Sequence, residues 1–539
     1  MCNRLLFLVV ASCLLMSLGK ESRGQLAGIS TPPMGWSSWN SFSNTVDAQI
    51  VMAQARAMIA SGLHRAGYEY INIDEGWWLG KRNAHGDMVV DPVAWPALRH
   101  GEKSGDMANI MRYIHRLGLK AGIYTDAGMN GCSEYPDIGP KVFYTGSEGH
   151  YDQDFLQFAR WGFDYVKVDW CGGDWEHLDP AVQYAKIARA IERAEILANH
   201  KIYFSICEWG KKSAWTWAPH IGGIDADSWR TSLDIVAPIV YGGPNADRHA
   251  SFSRMISNFE DGIHPEAQHT SFYNDPDMLV IGMPGLSEEQ NRVHMALWAI
   301  SGAPLIIGAD LTKCGNSILQ ILTNPRMLAI DQDQLGLQAI KVAQTSAGLE
   351  VWSKRLAKPG ERAVVLLNRT GSAAQIEVKW NDLGLLSLSP ARVSDIWSNK
   401  SLGYIQNGYI TNVPQNDAVF LLIQGKESGM ERYSPSKKVE NLGSGIIARK
   451  NLSVRFSKVI SKRNWTDIAI TYRNPHSKPE YAKVVVNGDP GTWIEFPPTA
   501  KTARLIWIQV KLKSESSNNM LKFMSEHTVG PLIQSIDVN

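Results

Sequence analysis

The sequence predicts an α/β protein: a (β/α)8 barrel of the TIM type, followed by an antiparallel β-sandwich and a further C-terminal β-sandwich. Three observations predict it. From Pro33 to about Asn324, short apolar, β-branched runs alternate with longer amphipathic segments, which is the rhythm of repeated βα units. After Asp331 the helical patterns stop and short alternating runs replace them, as in antiparallel sandwiches. The chain has 539 residues, enough for two or three domains with large buried cores.

At the N-terminus, Arg4 precedes an apolar run from Leu5 to Leu18, and small and polar residues continue through Gly24. This is the pattern of a signal peptide over residues 1–24, with a secreted or periplasmic product. The run is too short to remain as a membrane anchor. Lipidation at Cys13, after Val10, Ala11 and Ser12, is the weaker alternative, because the apolar run continues past that cysteine. Lys+Arg 54 against Asp+Glu 53 leaves a net charge of +1, which provides no electrostatic footprint for nucleic acid or an anionic membrane. A neutral partner fits better, and the 19 Trp supply flat faces on which sugar rings stack. Outside the leader, four cysteines remain: Cys132, Cys171, Cys207 and Cys314. An oxidising compartment favours pairing, but spacing alone does not say which pairs form.

The barrel is expected over residues 28–328. Its strands are expected at Met34–Trp39, Tyr70–Asp74, Lys120–Tyr124, Tyr165–Asp169, Ile202–Cys207, Ser228–Thr231, Met278–Ile281 and Leu305–Ile307. Helical patterns lie between them at Asp47–Ala60, Asp106–Leu117, Tyr151–Trp161, Ala181–Leu197, His249–Phe259 and Glu288–Ile300, with Asp106 and Ser287 placed as N-caps. The first sandwich, 332–426, rests on runs at Leu349–Ser353, Ala363–Leu367, Gln375–Val378, Val393–Asp395 and Ala418–Ile423. The polar stretch Gly425–Asn441 reads as a linker, and residues 440–539 as the second sandwich. There Trp465, Tyr472, Trp493 and Trp507 are candidate sugar-stacking residues, and structural packing is the competing reading.

Active sites of such barrels lie at the C-terminal ends of the strands. Polar residues interrupt the apolar runs at those ends: Trp39-Asn40, Asp74-Glu75, Tyr124-Thr125-Asp126, Lys167 and Asp169, Glu208-Trp209, Arg230 and Asp234, and Asp275 with Asp277. One such carboxylate could simply cap a helix, and Asp126 and Asp275 are read as orienting loops through backbone hydrogen bonds. Acids converging from most strand ends are costly to bury unless a ligand or partner satisfies them. Glycoside hydrolysis needs two carboxyl groups flanking the scissile bond. Lys167 and Asp169 share a strand face two residues apart, and an adjacent ammonium favours the ionised carboxylate that a nucleophile needs. Asp234 follows Arg230, and an acid facing other carboxylates can stay protonated. The residues permit these roles without assigning them. His115, His264 and His294 lack ligand spacing, so no metal is expected, and the chemistry requires no cofactor.

The motifs TPPMGWSSWNSF, YINIDEGWW, LKAGIYTDAG, FDYVKVDWCGG, ICEWG, SWRTSLDI and NDPDMLVIG, in this order, resemble the α-galactosidases of glycoside hydrolase family 27, the melibiase group. The resemblance covers roughly residues 30 to 425. It implies a retaining hydrolase with Asp169 as nucleophile and Asp234 as acid/base. It also implies that Trp39 forms an aromatic wall, that Asp74 and Glu75 take the O4 and O6 hydroxyls, that Tyr124 and Lys167 close the same side, and that Glu208 and Arg230 bind near O2, with Asp277 in the matching NDPD motif. Glu208 fills the space that an acetamide would need, which argues against an N-acetylgalactosaminidase. A disulfide between Cys132 and Cys171 is likewise implied.

The family usually carries two consecutive aspartates and then Cys-Trp where this chain has Asp74-Glu75-Gly76-Trp77, so the disulfide anchored on that cysteine must be absent. Glu75 is one methylene longer than aspartate and can fill space meant for C6. A β-L-arabinopyranoside has the ring stereochemistry of an α-D-galactoside without the C6 hydroxymethyl, and discrimination of one carbon is worth only about 1–3 kcal/mol. The first expectation is therefore an exo-acting α-galactosidase on oligo- or polysaccharides, and the second a β-L-arabinopyranosidase. A non-catalytic carbohydrate-binding protein is the alternative of another class, and the presence of both carboxylates argues against it.

Overall fold

The computed structural model describes residues 25–28, 30–132, 145–221, 226–236, 249–435, 453–500, 502–525 and 530–539. The expected signal peptide, 1–24, and the end of the expected linker lie outside the described residues. Among the described residues no helix is long and apolar enough to cross a membrane.

Eight parallel strands form the barrel: β1 (Met34–Ser37), β2 (Tyr70–Ile73), β3 (Lys120–Asp126), β4 (Tyr165–Asp169), β5 (Tyr203–Cys207), β6 (Ser228–Arg230), β7 (Tyr273–Asp275) and β8 (Leu305–Ile307). They pair in the order β7-β6-β5-β4-β3-β2-β1-β8, and a parallel bridge between Leu279 and Ile307 brings the two edges together. Seven strands fall where the apolar runs predict. The seventh does not: pairing with β6 is made by Tyr273–Asp275, and the expected run Met278–Ile281 contributes only the Leu279 bridge. Between them Pro276 has no N–H to donate, and Asp277 adopts φ 88°, which breaks the strand.

Among the described residues the helices longer than two turns are α1 (Ala48–Ala60), α2 (Ala108–Arg116), α3 (Tyr151–Trp161), α4 (Pro180–Ala198), α5 (Phe252–Asp261) and α6 (Glu288–Ser301). Their starts follow local chemistry. Ile50 N donates to Asp47 Oδ1, Ala108 N to Asp106 Oδ1, and Ser287 with Gln290 closes a reciprocal capping box at α6. Between β5 and β6 the described residues form two 3-10 turns, Ala214–Thr216 and Ala218–His220. Apolar side chains from strands and helices merge into one core that includes Trp36, Trp77, Trp229 and Trp298, and Trp161 packs edge-on against Trp77.

The first sandwich contains the five predicted runs and three further strands, Ile340–Ser346, Ser401–Ile405 and Gly408–Val413. Those three are largely exposed, so they lack the alternating apolar face that marks a strand in sequence. The expected linker also holds a strand: Glu431–Tyr433 pairs with Ile536–Val538 at a sheet edge, and its polar composition fits that exposed position. In the C-terminal domain a five-stranded and a four-stranded sheet enclose a core built around Phe456, Ile470, Phe496 and Phe523. Gln25 and Leu26 join the larger sheet by parallel pairing with Arg504 and Leu505.

Three of the four aromatic residues expected to stack on sugar are committed to packing. Tyr472 is buried and its hydroxyl donates to Pro497 O. Trp507 lies under the Arg355 guanidinium, 4.7 Å from the ring centre. Trp493 packs on the barrel's His220, with ring centroids 4.3 Å apart. The two sandwiches are joined by Arg355, which reaches Asp467 at 2.8 Å and Glu427 at 2.6 Å, beside an apolar cluster of Leu335, Leu337, Ala469, Leu505 and Trp507. Leaving a buried charge with no partner costs about 3–5 kcal/mol; without Asp467, Arg355 keeps Glu427, so the cost falls below that range. Asp467→Ala is therefore expected to lower the apparent melting temperature by several degrees in a thermal scan; a midpoint within one degree of wild type would show that this pair does not hold the domains together.

Candidate active site

The strand ends bring two cations, buried Arg230 and half-buried Lys167, among the carboxylates. Lys167, on β4, reaches Asp74 Oδ2 at 3.0 Å and Asp169 Oδ2 at 3.5 Å. Parallel register aligns Tyr124 with Lys167 and Asp126 with Asp169, and the Lys167 ammonium lies 5.2 Å from the Tyr124 ring centre. Asp74 is fixed from β1, because its N–H donates to Ser38 Oγ at 2.9 Å and Ser37 Oγ donates to its Oδ2 at 3.5 Å. Arg230, at the end of β6, places Nη2 3.1 Å from both Asp234 Oδ1 and Asp277 Oδ2. The same nitrogen donates to Ser232 O at 2.9 Å.

Burial pushes the Asp169 carboxyl up, the Lys167 ammonium pulls it back, and Asp234 and Asp74 raise it again. Burial opposes the charge on Lys167, but Asp74 and Asp169 outweigh it and hold the ammonium well above the usual lysine range. Burial likewise opposes the Arg230 charge, and Asp277, Cys207 and Asp234 overcome it. Burial raises the Asp277 carboxyl despite Arg230. The two expected reacting acids differ in access: the Asp169 side chain is 6% exposed and that of Asp234 41%.

Asp277 also sets the position of Asp234. Its Oδ2 accepts from Ile235 N at 2.7 Å, which ties down the segment just past β6. Asp277 holds a left-handed backbone there, and Asp275 Oδ1 accepts its N–H at 2.9 Å. Asp126 is the loop organiser expected of it: Oδ1 accepts from Gly128 N and Gly172 N. Cys132 and Cys171 form a disulfide across these loops, while Cys207 and Cys314 are free thiols.

Lys167, Asp74, Asp169, Tyr124, Arg230, Asp234 and Asp277 thus meet at one mouth. Trp39 is half-buried at the start of the short helix Trp39–Phe42 that follows β1. Glu208 is fully buried, and its two oxygens accept backbone N–H bonds from Lys212 and Ala214 in its own loop; burial raises its carboxyl to about 7 against those bonds. The Glu75 carboxylate is turned toward Gly131 and Trp78. One site group escaped the sequence reading. Cys207 Sγ lies 3.7 Å from Arg230 Nη1 and hydrogen-bonds Asp169, and its position as the last residue of β5 was the available signal.

Comparison with known proteins agrees along most of the chain. A family profile described as alpha galactosidase A matches residues 31–333. Profiles for the alpha galactosidase C-terminal beta sandwich domain and for an alpha-galactosidase CBM13 domain match 346–423 and 453–537. The chain is 38% identical over 378 residues to alpha-galactosidase A of Cellvibrio japonicus, covering 70% of this chain and 85% of that protein. It is 35% identical over 379 residues to alpha-galactosidase 2 of Arabidopsis thaliana, covering 70% and 85%. Among solved structures, alpha-galactosidase I from Mortierella vinacea superposes with a TM-score of 0.63 at 28% identity, covering 74% of this chain and 98% of that one. A β-L-arabinopyranosidase from Geobacillus stearothermophilus shares the fold, with a TM-score of 0.61 at 22% identity over 73% of this chain and 96% of that one. With more than half of its length matched by the first profile, and with barrel, strand-end carboxylates and first sandwich all in place, the chain belongs to glycoside hydrolase family 27, the melibiase group.

Proposed function

We propose that this protein is an exported exo-α-galactosidase that removes terminal α-D-galactosyl units from oligo- or polysaccharides with retention of configuration. The observation that carries the reading is the buried Asp169 carboxylate, held by Lys167 at 3.5 Å, in the same mouth as the half-exposed Asp234. In the first step Asp169 attacks the anomeric carbon while Asp234 gives a proton to the departing oxygen, leaving a glycosyl ester on Asp169. In the second, Asp234 takes a proton from water, which attacks the same carbon and frees the Asp169 carboxylate. The exposure of Asp234 suits a group that must exchange protons with water, and the burial of Asp169 suits one that must form an ester shielded from it.

Asp74, Tyr124 and Lys167 form the side of the pocket that receives O4 and O6, with Glu75 behind them and Trp39 as the aromatic wall. Arg230 faces O2 and also orients Asp234 together with Asp277, while Glu208 acts through the loop it holds. Glu75 supports a second reading, β-L-arabinopyranosidase activity, because it is one methylene longer than the aspartate usual at this position, on the side of the pocket read as receiving C6. The leader at residues 1–24 is assigned to export.

Four measurements test this. Asp234→Ala should slow hydrolysis of an alkyl galactoside about 10²–10⁴-fold, the usual worth of a general acid, and slow that of 2,4-dinitrophenyl galactoside far less. Asp169→Ala should be inactive on both, with azide restoring turnover and yielding the β-galactosyl azide; unchanged hydrolysis in Asp169→Ala would remove the assignment. Lys167 lowers the Asp169 carboxyl, and Asp169 must be ionised to attack. Lys167→Met should therefore shift the acid limb of the kcat/KM profile to higher pH, whatever the loss in amplitude. Finally, the ratio of rates on 4-nitrophenyl α-D-galactoside and β-L-arabinopyranoside ranks the two substrate readings, and Glu75→Asp should move it toward the galactoside.

A further inference from the structure

Gly131 lies on the loop after β3, next to the disulfide-bonded Cys132. A Cβ at this position would stand 2.4 Å from Glu75 Oε1, 3.2 Å from its Cδ and 3.4 Å from Trp78 Cζ2. The carboxylate of Glu75 therefore occupies the volume that any side chain at 131 would need. Backbone conformation does not demand glycine here, since Gly131 lies outside the left-handed region that the chain's positive-φ glycines adopt. What the glycine supplies is space.

The loop cannot retreat to make that space another way. Gly131 N donates to Thr145 Oγ1 at 2.7 Å, and Cys132 N donates to the Tyr124 hydroxyl at 3.4 Å. The disulfide fixes Cys132 to Cys171, two residues past Asp169. On the far side Trp78 is stacked on Tyr124, with ring centroids 5.7 Å apart. A side chain added at 131 meets a pinned backbone and two packed rings, so the Glu75 carboxylate, the atoms it strikes first, is what gives way.

We propose that Gly131 is a specificity-determining residue of the sugar pocket. By receiving the Glu75 carboxylate it draws the extra methylene back from the C6 end and leaves room for a hydroxymethyl group. The inference rests on the reading that Glu75 borders C6. Residues 75 and 131 act as a pair: the long acid is compatible with a galactoside because the facing residue has no side chain.

The test compares wild type, Gly131→Ala, Glu75→Asp and the double variant in the full chain, on 4-nitrophenyl α-D-galactoside and 4-nitrophenyl β-L-arabinopyranoside. Gly131→Ala should lower the galactoside-to-arabinoside ratio of kcat/KM about tenfold, the low end for one carbon in a tight pocket, mainly through the galactoside KM. The double variant should return to the ratio of Glu75→Asp alone, because the shorter acid does not reach the new methyl. An unchanged ratio in Gly131→Ala, or a double variant that stays low, overturns the proposal. Should Gly131→Ala fail to fold, a folded double variant still locates the clash at Glu75, and a double variant that also fails to fold places the strain in the backbone and sinks the idea. If wild type cleaves neither glycoside, the reading of function falls separately, and the relative calorimetric affinities of the four proteins for D-galactose and L-arabinose still judge Gly131.

Discussion

The mouth of the barrel depends on one half-buried ammonium, that of Lys167, shared between Asp74 and Asp169. Taking such charges out of water costs several kcal/mol each, and only close, well-aligned partners offset it. Alignment comes from the barrel itself. Asp74 follows the end of β2 and Lys167 and Asp169 end β4, so the contact exists only while the register of β2, β3 and β4 is kept. Arg230 repeats the arrangement across the opening with Asp234 and Asp277. The two cations thus organise the carboxylates of the mouth by charge.

Much of this is legible in the sequence because the same residues serve fold and site. The apolar runs that form the strands end in the polar residues that form the mouth, so locating one locates the other. Helix starts at Asp47 and Ser287 are legible because the capping oxygen and the N–H groups it serves lie within three residues. Features that depend on distant partners are not. The seventh strand is displaced because Pro276 and the left-handed Asp277 divide it, and Asp277 adopts that backbone where Arg230 and Ile235 meet its carboxylate. Glu431–Tyr433 reads as linker because its hydrogen bonds lead to Ile536–Val538, about a hundred residues away. Cys207 reads only as a cysteine of open pairing until β5 places it between Asp169 and Arg230.

The aromatic residues of the C-terminal domain show the same limit from the other direction. A tryptophan's composition value is identical whether it faces sugar or protein, and here Trp493 and Trp507 face the rest of the chain. Their partners differ in consequence. Arg355 under Trp507 belongs to the first sandwich, whereas His220 under Trp493 belongs to the 3-10 turns that connect β5 to β6. Glu208 spends its carboxylate on the start of that same connection. The outermost domain therefore steadies a loop that begins at the mouth of the barrel.

Gln25 and Leu26 pair with Arg504 and Leu505, so a sheet in the last domain is completed by residues that precede the first barrel strand. A chain made from its N-terminus onward delivers those two residues hundreds of positions before their partners arrive. Contacts of such sequence separation form late, after the loop entropy between them has been offset elsewhere. That edge of the sheet stays open until Arg504 and Leu505 have been made, so its closure ties the segment ahead of the barrel to a folded C-terminal domain.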